Sequence, residues 1–165
     1  MHETESDIAA LQGLLDRSYA AAGPHLLRIH TAERRLDAEQ VCSRLTGMCL
    51  LALATISSAG KPVVGPVDGI FFRGAFHFGS SPDSVRARHI AARPWVSATY
   101  LPGEELAVTV HGQAEPADTS SGPFRDALLG IYTPRYGEEW TRMLDSGSVY
   151  WRVAAERMFT FSMPS

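Results

Sequence analysis

From Met48 to Tyr100 short apolar runs are cut by turn residues at close intervals, a rhythm that suits consecutive strands better than helices. Met48 to Ile56 is almost continuously apolar, which predicts a strand buried on both faces, and Ser58-Ala59-Gly60 supplies the turn after it. Pro62 to Phe72 reads as a second strand, whose Gly65-Pro66 suits a bulge or a sheet edge better than a central ladder. Arg73-Gly74 makes a tight hairpin into Ala75-Phe76-His77-Phe78. A helix bearing Arg86 and Arg88 follows, Arg93-Pro94 breaks it, and Trp95 to Tyr100 resumes as a strand.

Beyond Tyr100 the same logic continues. Pro102-Gly103 is a turn, Leu106 to Ala114 a long strand, residues 118 to 123 a loop, and a helix begins near Phe124. Tyr132 to Gly147 looks irregular or partly helical. Val149 to Val153 and Met158 to Phe161 read as two closing strands. The expected fold is mainly β, of the α+β kind: six or seven strands with short flanking helices, which points to a small barrel.

The first part of the chain is different. Ser6 can cap a helix in which Ile8, Leu11, Leu14 and Leu15 recur at helical spacing, and Gly23-Pro24 ends it. A second helix opens at Asp37, where Gln40 completes a capping box, Leu36 and Val41 can form a staple, and Gly47 is the natural stop. Residues 1–39 are thus expected to be a helical lead packed on a barrel formed by residues 40–165.

Composition narrows the function. With 165 residues and 45% hydrophobic content the chain can bury a core without disulfide staples. Fifteen basic residues against eighteen acidic ones, a formal charge of −3, offer no general attraction to nucleic acid or an anionic membrane, so any anion site must be local. The N-terminal residues lack the pattern of a signal peptide and no apolar stretch approaches the ~20 residues of a membrane span, so a cytoplasmic protein is expected. Cys42 and Cys49 lack a metal or redox spacing and read as free, buried thiols. The histidines show no HxxxH or HExxH spacing, and there is no P-loop or GxGxxG motif.

The polar loop Ser80-Ser81-Pro82-Asp83-Ser84 leading into Arg86 and Arg88 has the chemistry of a phosphate site. A proline at a first helical position leaves the opening N–H groups free, a helix N-terminus carries partial positive charge, and hydroxyls and guanidinium groups lie close by. Arg88 shares a helical face with Ser84 and Ser81, whereas Arg86 lies about 200° away, so both serve one anion only if the ligand wraps the helix start. The alternative is a solvated basic face.

Five blocks in order resemble the pyridoxamine 5'-phosphate oxidase-like superfamily. They are Leu53-Ala54-Thr55-Ile56, Gly60 to Val67, Phe76-His77-Phe78-Gly79-Ser80, Ser84 to Ile90, and Arg93-Pro94-Trp95-Val96-Ser97. The resemblance covers roughly residues 40 to 162 and implies a split β-barrel that binds flavin. It places Ser80, Ser81, Ser84, Arg86 and Arg88 around a cofactor phosphate, and Pro66-Val67-Asp68 along the ring edge. It further implies a homodimer with the cofactor sites at the interface, where Thr109, His111, Tyr150, Trp151 and Arg152 are candidate partner residues; for Trp151 the alternative is a barrel anchor. Where the family more often has Lys and Asn, this chain has Arg86 and His89, and Asp83 adds a negative charge.

The implied function is an FMN-dependent oxidoreductase acting on a small organic substrate. The alternatives are a reductase using the deazaflavin coenzyme F420, with Arg93 and Lys61 facing its tail, and a non-catalytic flavin- or haem-binding module, for which His77 or His111 would be the haem ligand. The aromatic segment from Tyr132 through Ser148 reads either as a lid over a planar substrate or as a packed connector.

Overall fold

The computed structural model describes residues 2–163. Six antiparallel strands close into a barrel in the order β1-β2-β3-β6-β5-β4. They are β1 (Met48–Ile56), β2 (Pro62–Phe72), β3 (Ala75–Ser80), β4 (Trp95–Gly103), β5 (Leu106–Ala117) and β6 (Val149–Ser162). The helices are α1 (Glu5–Ala20), α2 (Pro24–Ile29), α3 (Ala38–Arg44), α4 (Val85–Ala92), α5 (Pro123–Tyr136) and α6 (Glu138–Asp145), with a 3-10 turn at Ala32–Arg34. Among the described residues no helix is long and apolar enough to cross a membrane.

Local signals set the limits of β1 and β2 and the turn after them. The two strands pair in continuous register from Met48↔Ile70 to Ile56↔Pro62, so Gly65-Pro66 makes no bulge. Strand β3 pairs only with Gly69 to Phe72, which leaves Pro62 to Asp68 with a neighbour on one side alone. That is the sheet-edge reading of Gly65-Pro66. The hairpin turns on Arg73 (φ 47°) and Gly74 (φ 76°), two consecutive left-handed residues whose twist matches the flanking strands.

Several elements differ from the sequence expectation. Strand β1 is not buried on both faces: Cys49, Leu51 and Leu53 enter the core while Leu50 is 56% exposed. A continuous apolar run says nothing about which face the barrel leaves outside. The two closing strands are one, β6, which runs unbroken to Ser162 and absorbs the irregularity through a register shift against His111 and Gly112 of β5. Strand β4 continues through Pro102 to Gly103, because a proline at a strand end removes no ladder bond there. Tyr132 to Asp145 is helical except for a break at Gly137, as the end of α5 and the whole of α6, which bears out the partly helical reading of this segment.

At the N-terminal end, α1 is capped by Thr4 and Asp7 in a reciprocal box rather than by Ser6. Pro24 does not only end that segment; it opens α2 as a first-turn proline. The Asp37–Gln40 capping box of α3 forms as read from the sequence. Leu11, Leu14 and Leu15 of α1 join Val41 of α3 and Phe76, Phe78 and Met158 of the barrel in one core. Ser18 and Tyr19 complete the packing on β6: Met158 N–H donates to Ser18 Oγ (2.9 Å) and Thr160 N–H to Tyr19 Oη (2.9 Å), while Tyr19 Oη–H donates to the Thr160 carbonyl (2.8 Å). A smaller core joins α5 and α6 to β2 through Ile70, Phe72, Leu128, Tyr132, Trp140 and Leu144.

Candidate functional site

The unpaired half of β2 is where the candidate residues gather. Pro62 and Pro66 lack N–H groups, and the Pro66 carbonyl accepts a hydrogen bond from the Arg86 guanidinium (2.9 Å), so this residue's backbone faces the free edge. By strand alternation Val64 and Asp68 turn their backbone groups the same way. Val67 is buried in the core, and by the same alternation its backbone points to β1, so neither its side chain nor its backbone faces the free edge. The Arg86 guanidinium lies beside Gly65, where a Cβ would sit 3.4 Å from it.

The loop after β3 runs alongside. Helix α4 begins at Val85, capped by the Ser84 hydroxyl, which accepts from Ala87 N–H (3.1 Å) and from Ser80 Oγ–H (2.9 Å). Pro82 is therefore not a first helical residue but stands in the loop ahead of the cap. This corrects the sequence reading: the side-chain cap outcompeted proline in setting the start. The Ser81 hydroxyl donates to the Asp83 carboxylate, which holds that carboxyl below its ordinary range. Arg88 folds back to donate to the Asp83 carbonyl (2.7 Å), away from Arg86. Each arginine has five N–H donors, and these bonds leave most of them available.

Between this loop, the Asp68 end of the free edge and the α5–α6 pair lies a cavity of about 750 Å³. Asp68, Ser80 and Ser81 line it; Arg86 and Arg88 do not. Tyr150 of β6 forms part of its wall, and the wall depends on Gly79. The two residues face each other in the β3–β6 ladder, and a Cβ on Gly79 would meet the Tyr150 ring at 2.5 Å. Burial, with Asp68 adding to it, pushes the Tyr150 hydroxyl up to about 12, so it stays a proton donor at neutral pH. No local pattern in the chain signals this pairing, because strand register is needed to see it.

The structure separates some residues that the sequence grouped. Trp151 turns into the barrel and stacks on Phe78 (ring centroids 5.4 Å apart, 28° between planes), away from the cavity. It is a core anchor, because neighbours on a strand face opposite ways and Tyr150 takes the cavity side. His111 is exposed on β5 and bonded to Ser97 (2.8 Å). His77 is buried, with its ring 4.5 Å from that of Phe124, and burial lowers its pKa to about 4. The aromatic segment is a packed connector that also walls the cavity: Tyr132 and Trp140 stack at 4.6 Å with 9° between planes, and only Tyr136 remains exposed. Burial pushes the Cys42 and Cys49 thiols up to about 12 and about 11, so neither is a nucleophile.

No family model matches this chain, and no curated protein matches its sequence. Solved structures do match its fold. A conserved hypothetical protein from Mycobacterium tuberculosis superposes with a TM-score of 0.66 at 20% identity, covering 82% of this chain and 93% of the other. HutZ, a haem-storage protein from Vibrio cholerae, gives 0.56 at 19% identity over 68% and 85% of the two chains. A protein named F420 reductase gives 0.53 at 19% identity over 70% and 93%. The common property is the barrel.

Proposed function

We propose that this chain binds a phosphorylated flavin, FMN in the first place, along the open edge of β2 and acts as an oxidoreductase on a small organic molecule. The observation that carries this reading is the convergence on one edge of the β2 backbone at Val64, Pro66 and Asp68, which no strand pairs, the hydroxyls of Ser80 and Ser81, the start of α4, and the Arg86 guanidinium. The phosphate would be held by Ser81, Arg86, Arg88 and the first N–H groups of α4, with Ser80 and Ser84 fixing the loop through their mutual hydrogen bond. Asp83 competes for the Ser81 hydroxyl and must yield it to a phosphate. A bound flavin supplies hydride transfer; the chain's part is to hold the group, offer hydrogen bonds from the β2 edge, and exclude water with the α5–α6 wall.

Neighbours of the same fold named as a haem-storage protein and an F420 reductase support a redox-active cofactor as the ligand. The homodimer belongs to this reading. Leu50, Val64 and Leu101 are 56%, 69% and 62% exposed on the outside of β1, β2 and β4, an apolar face beside Pro66 that a second copy would cover, bringing its own residues to the site. The N-terminal stripe offers no such face, since Leu11 and Leu15 are already used by the barrel.

The absorption spectrum of the purified protein tests the cofactor. An oxidised-flavin spectrum is expected; a single deazaflavin band would move the reading to F420, and a Soret band would replace it by haem. Light scattering is expected to give twice the chain mass of 18.0 kDa.

A further inference from the structure

The cavity beside the open edge carries a charge pattern that the phosphate reading does not use. Its titratable side chains are two carboxylates, Asp68 and Asp83, and two phenols, Tyr132 and Tyr150; among the described residues no lysine, arginine or histidine lines it. The nearby arginines are turned elsewhere, Arg86 onto the Pro66 carbonyl and Arg88 onto the Asp83 carbonyl. Three of the wall residues are aromatic, Tyr132, Trp140 and Tyr150, and Met143 adds a polarisable thioether. Carboxylate and aromatic ring both attract positive charge, the ring through its quadrupole, and aromatic walls also suit a flat body. The volume of about 750 Å³ is in the range of small-molecule sites.

We infer that this cavity is a binding site for a flat organic cation, such as a protonated amine or a quaternary nitrogen on an unsaturated ring system, with Asp68 as its counter-ion. The assignment favours Asp68 over Asp83 because the Asp83 carboxylate already accepts the Ser81 hydroxyl and lies next to Arg88, whereas Asp68 has no hydrogen-bonded or ion-pair partner among the described residues. Its electrostatic influence reaches both Tyr132 and Tyr150, which places it beside the wall a cation would touch. Trp140 is fixed in place by its stack on Tyr132, so the wall is preformed. The inference names the substrate class of the oxidoreductase reading and rests on that reading for turnover, while binding stands by itself.

The test is equilibrium binding to the full chain as purified, at pH 7.5, followed by calorimetry. The probes are N-methylquinolinium, uncharged quinoline and quinoline-6-carboxylate, which share one ring system and differ in charge. The cation is expected to bind about tenfold more tightly than quinoline, and the carboxylate most weakly. Asp68→Asn is expected to reduce the cation's advantage to within about twofold, and Asp83→Asn to leave most of it, with unchanged melting temperatures showing that both variants fold. Equal binding of the three probes, a preference for the carboxylate, or a cation preference that survives Asp68→Asn would overturn the assignment. Titration of the same wild-type preparation with FMN reports separately: loss of flavin binding with the cation preference intact removes the cofactor reading and leaves this site standing.

Discussion

The short β3 closes the barrel but leaves half of β2 and half of β6 without a second neighbour, and these two edges are finished in opposite ways. On β6, pairing with β3 stops at Arg152, and the far half from Met158 to Ser162 would expose its backbone; α1 covers it, with Ser18 and Tyr19 taking the place of a neighbouring strand. On β2, pairing with β3 stops at Gly69, and among the described residues nothing comparable covers Pro62 to Asp68, where only Arg86 reaches the Pro66 carbonyl. An edge that serves stability is sealed with buried hydrogen bonds. The β2 edge keeps backbone groups unpaired, as the proposed recognition of a ligand requires, and prolines at positions 62 and 66 protect it from chance strand pairing.

The largest expected effect of breaking this contrast is at the sealed edge. Leu15, 1% exposed at the centre of the α1 contact, should cost about 2–5 kcal/mol of unfolding free energy as Leu15→Ala, read from denaturant melts. A loss below ~1 kcal/mol would mean that α1 is an accessory rather than part of the barrel core.

The seam between the edges is where β3 pairs with both β2 and β6, and His77 sits in it, opposite Ile70 and Arg152. Its folded pKa of about 4 lies below the ordinary value of 6.5, chiefly through burial, so the unfolded chain takes up a proton that the folded one refuses. Stability from this group is complete above pH 6.5 and is lost as pH falls toward 4, by up to about 3 kcal/mol. His77→Phe should flatten that part of the pH–stability curve; an unchanged slope would show that His77 takes up its proton without unfolding.

A smaller effect isolates the hydrogen bonds themselves. Tyr19→Phe keeps the ring under the Arg35 guanidinium, 4.1 Å from its centroid, but strips the partner from Thr160 N–H, while the Thr160 carbonyl keeps only its contact with His30 Nδ1 (2.8 Å). The expected cost is about 1–3 kcal/mol, with faster amide exchange at Thr160 than at Val108 opposite it.

The open edge should show the reverse. Arg86→Ala is expected to change stability by no more than about 0.5 kcal/mol yet weaken FMN about tenfold or more, with Arg88→Ala having a similar or smaller effect. Titration of the cofactor-free protein reads both. Equal loss of stability and affinity would make Arg86 a strut for β2 and remove the contrast between the edges.

The helical lead, the hairpin at Arg73-Gly74 and the loop from Ser80 to Ser84 were all legible in the chain because each is written in adjacent residues: a capping box, a pair suited to left-handed backbone, a run of hydroxyls before a helix. Ser80 and Ser81 are legible for the same reason and Asp68 only through the family resemblance, and the structure brings all three to one cavity. The directions of Arg86 and Arg88 were not legible, since helical spacing gives an angle about an axis and not the carbonyl that a long side chain finds. Tyr150 was named beside Trp151 as one surface, and strand alternation divides them between cavity and core.

By itself, then, the sequence determined where strands and helices begin in most of the barrel and which polar loop stands at its rim, because propensity, turn chemistry and capping act over a few residues. Tertiary structure alone decided that Leu50 and Val64 face outward, that Val149–Ser162 is one strand, and that α1 seals β6 while β2 stays open. Those outcomes follow from register and closure between segments up to 141 residues apart, where one residue of slip exchanges the faces of a strand, and no local pattern carries that information.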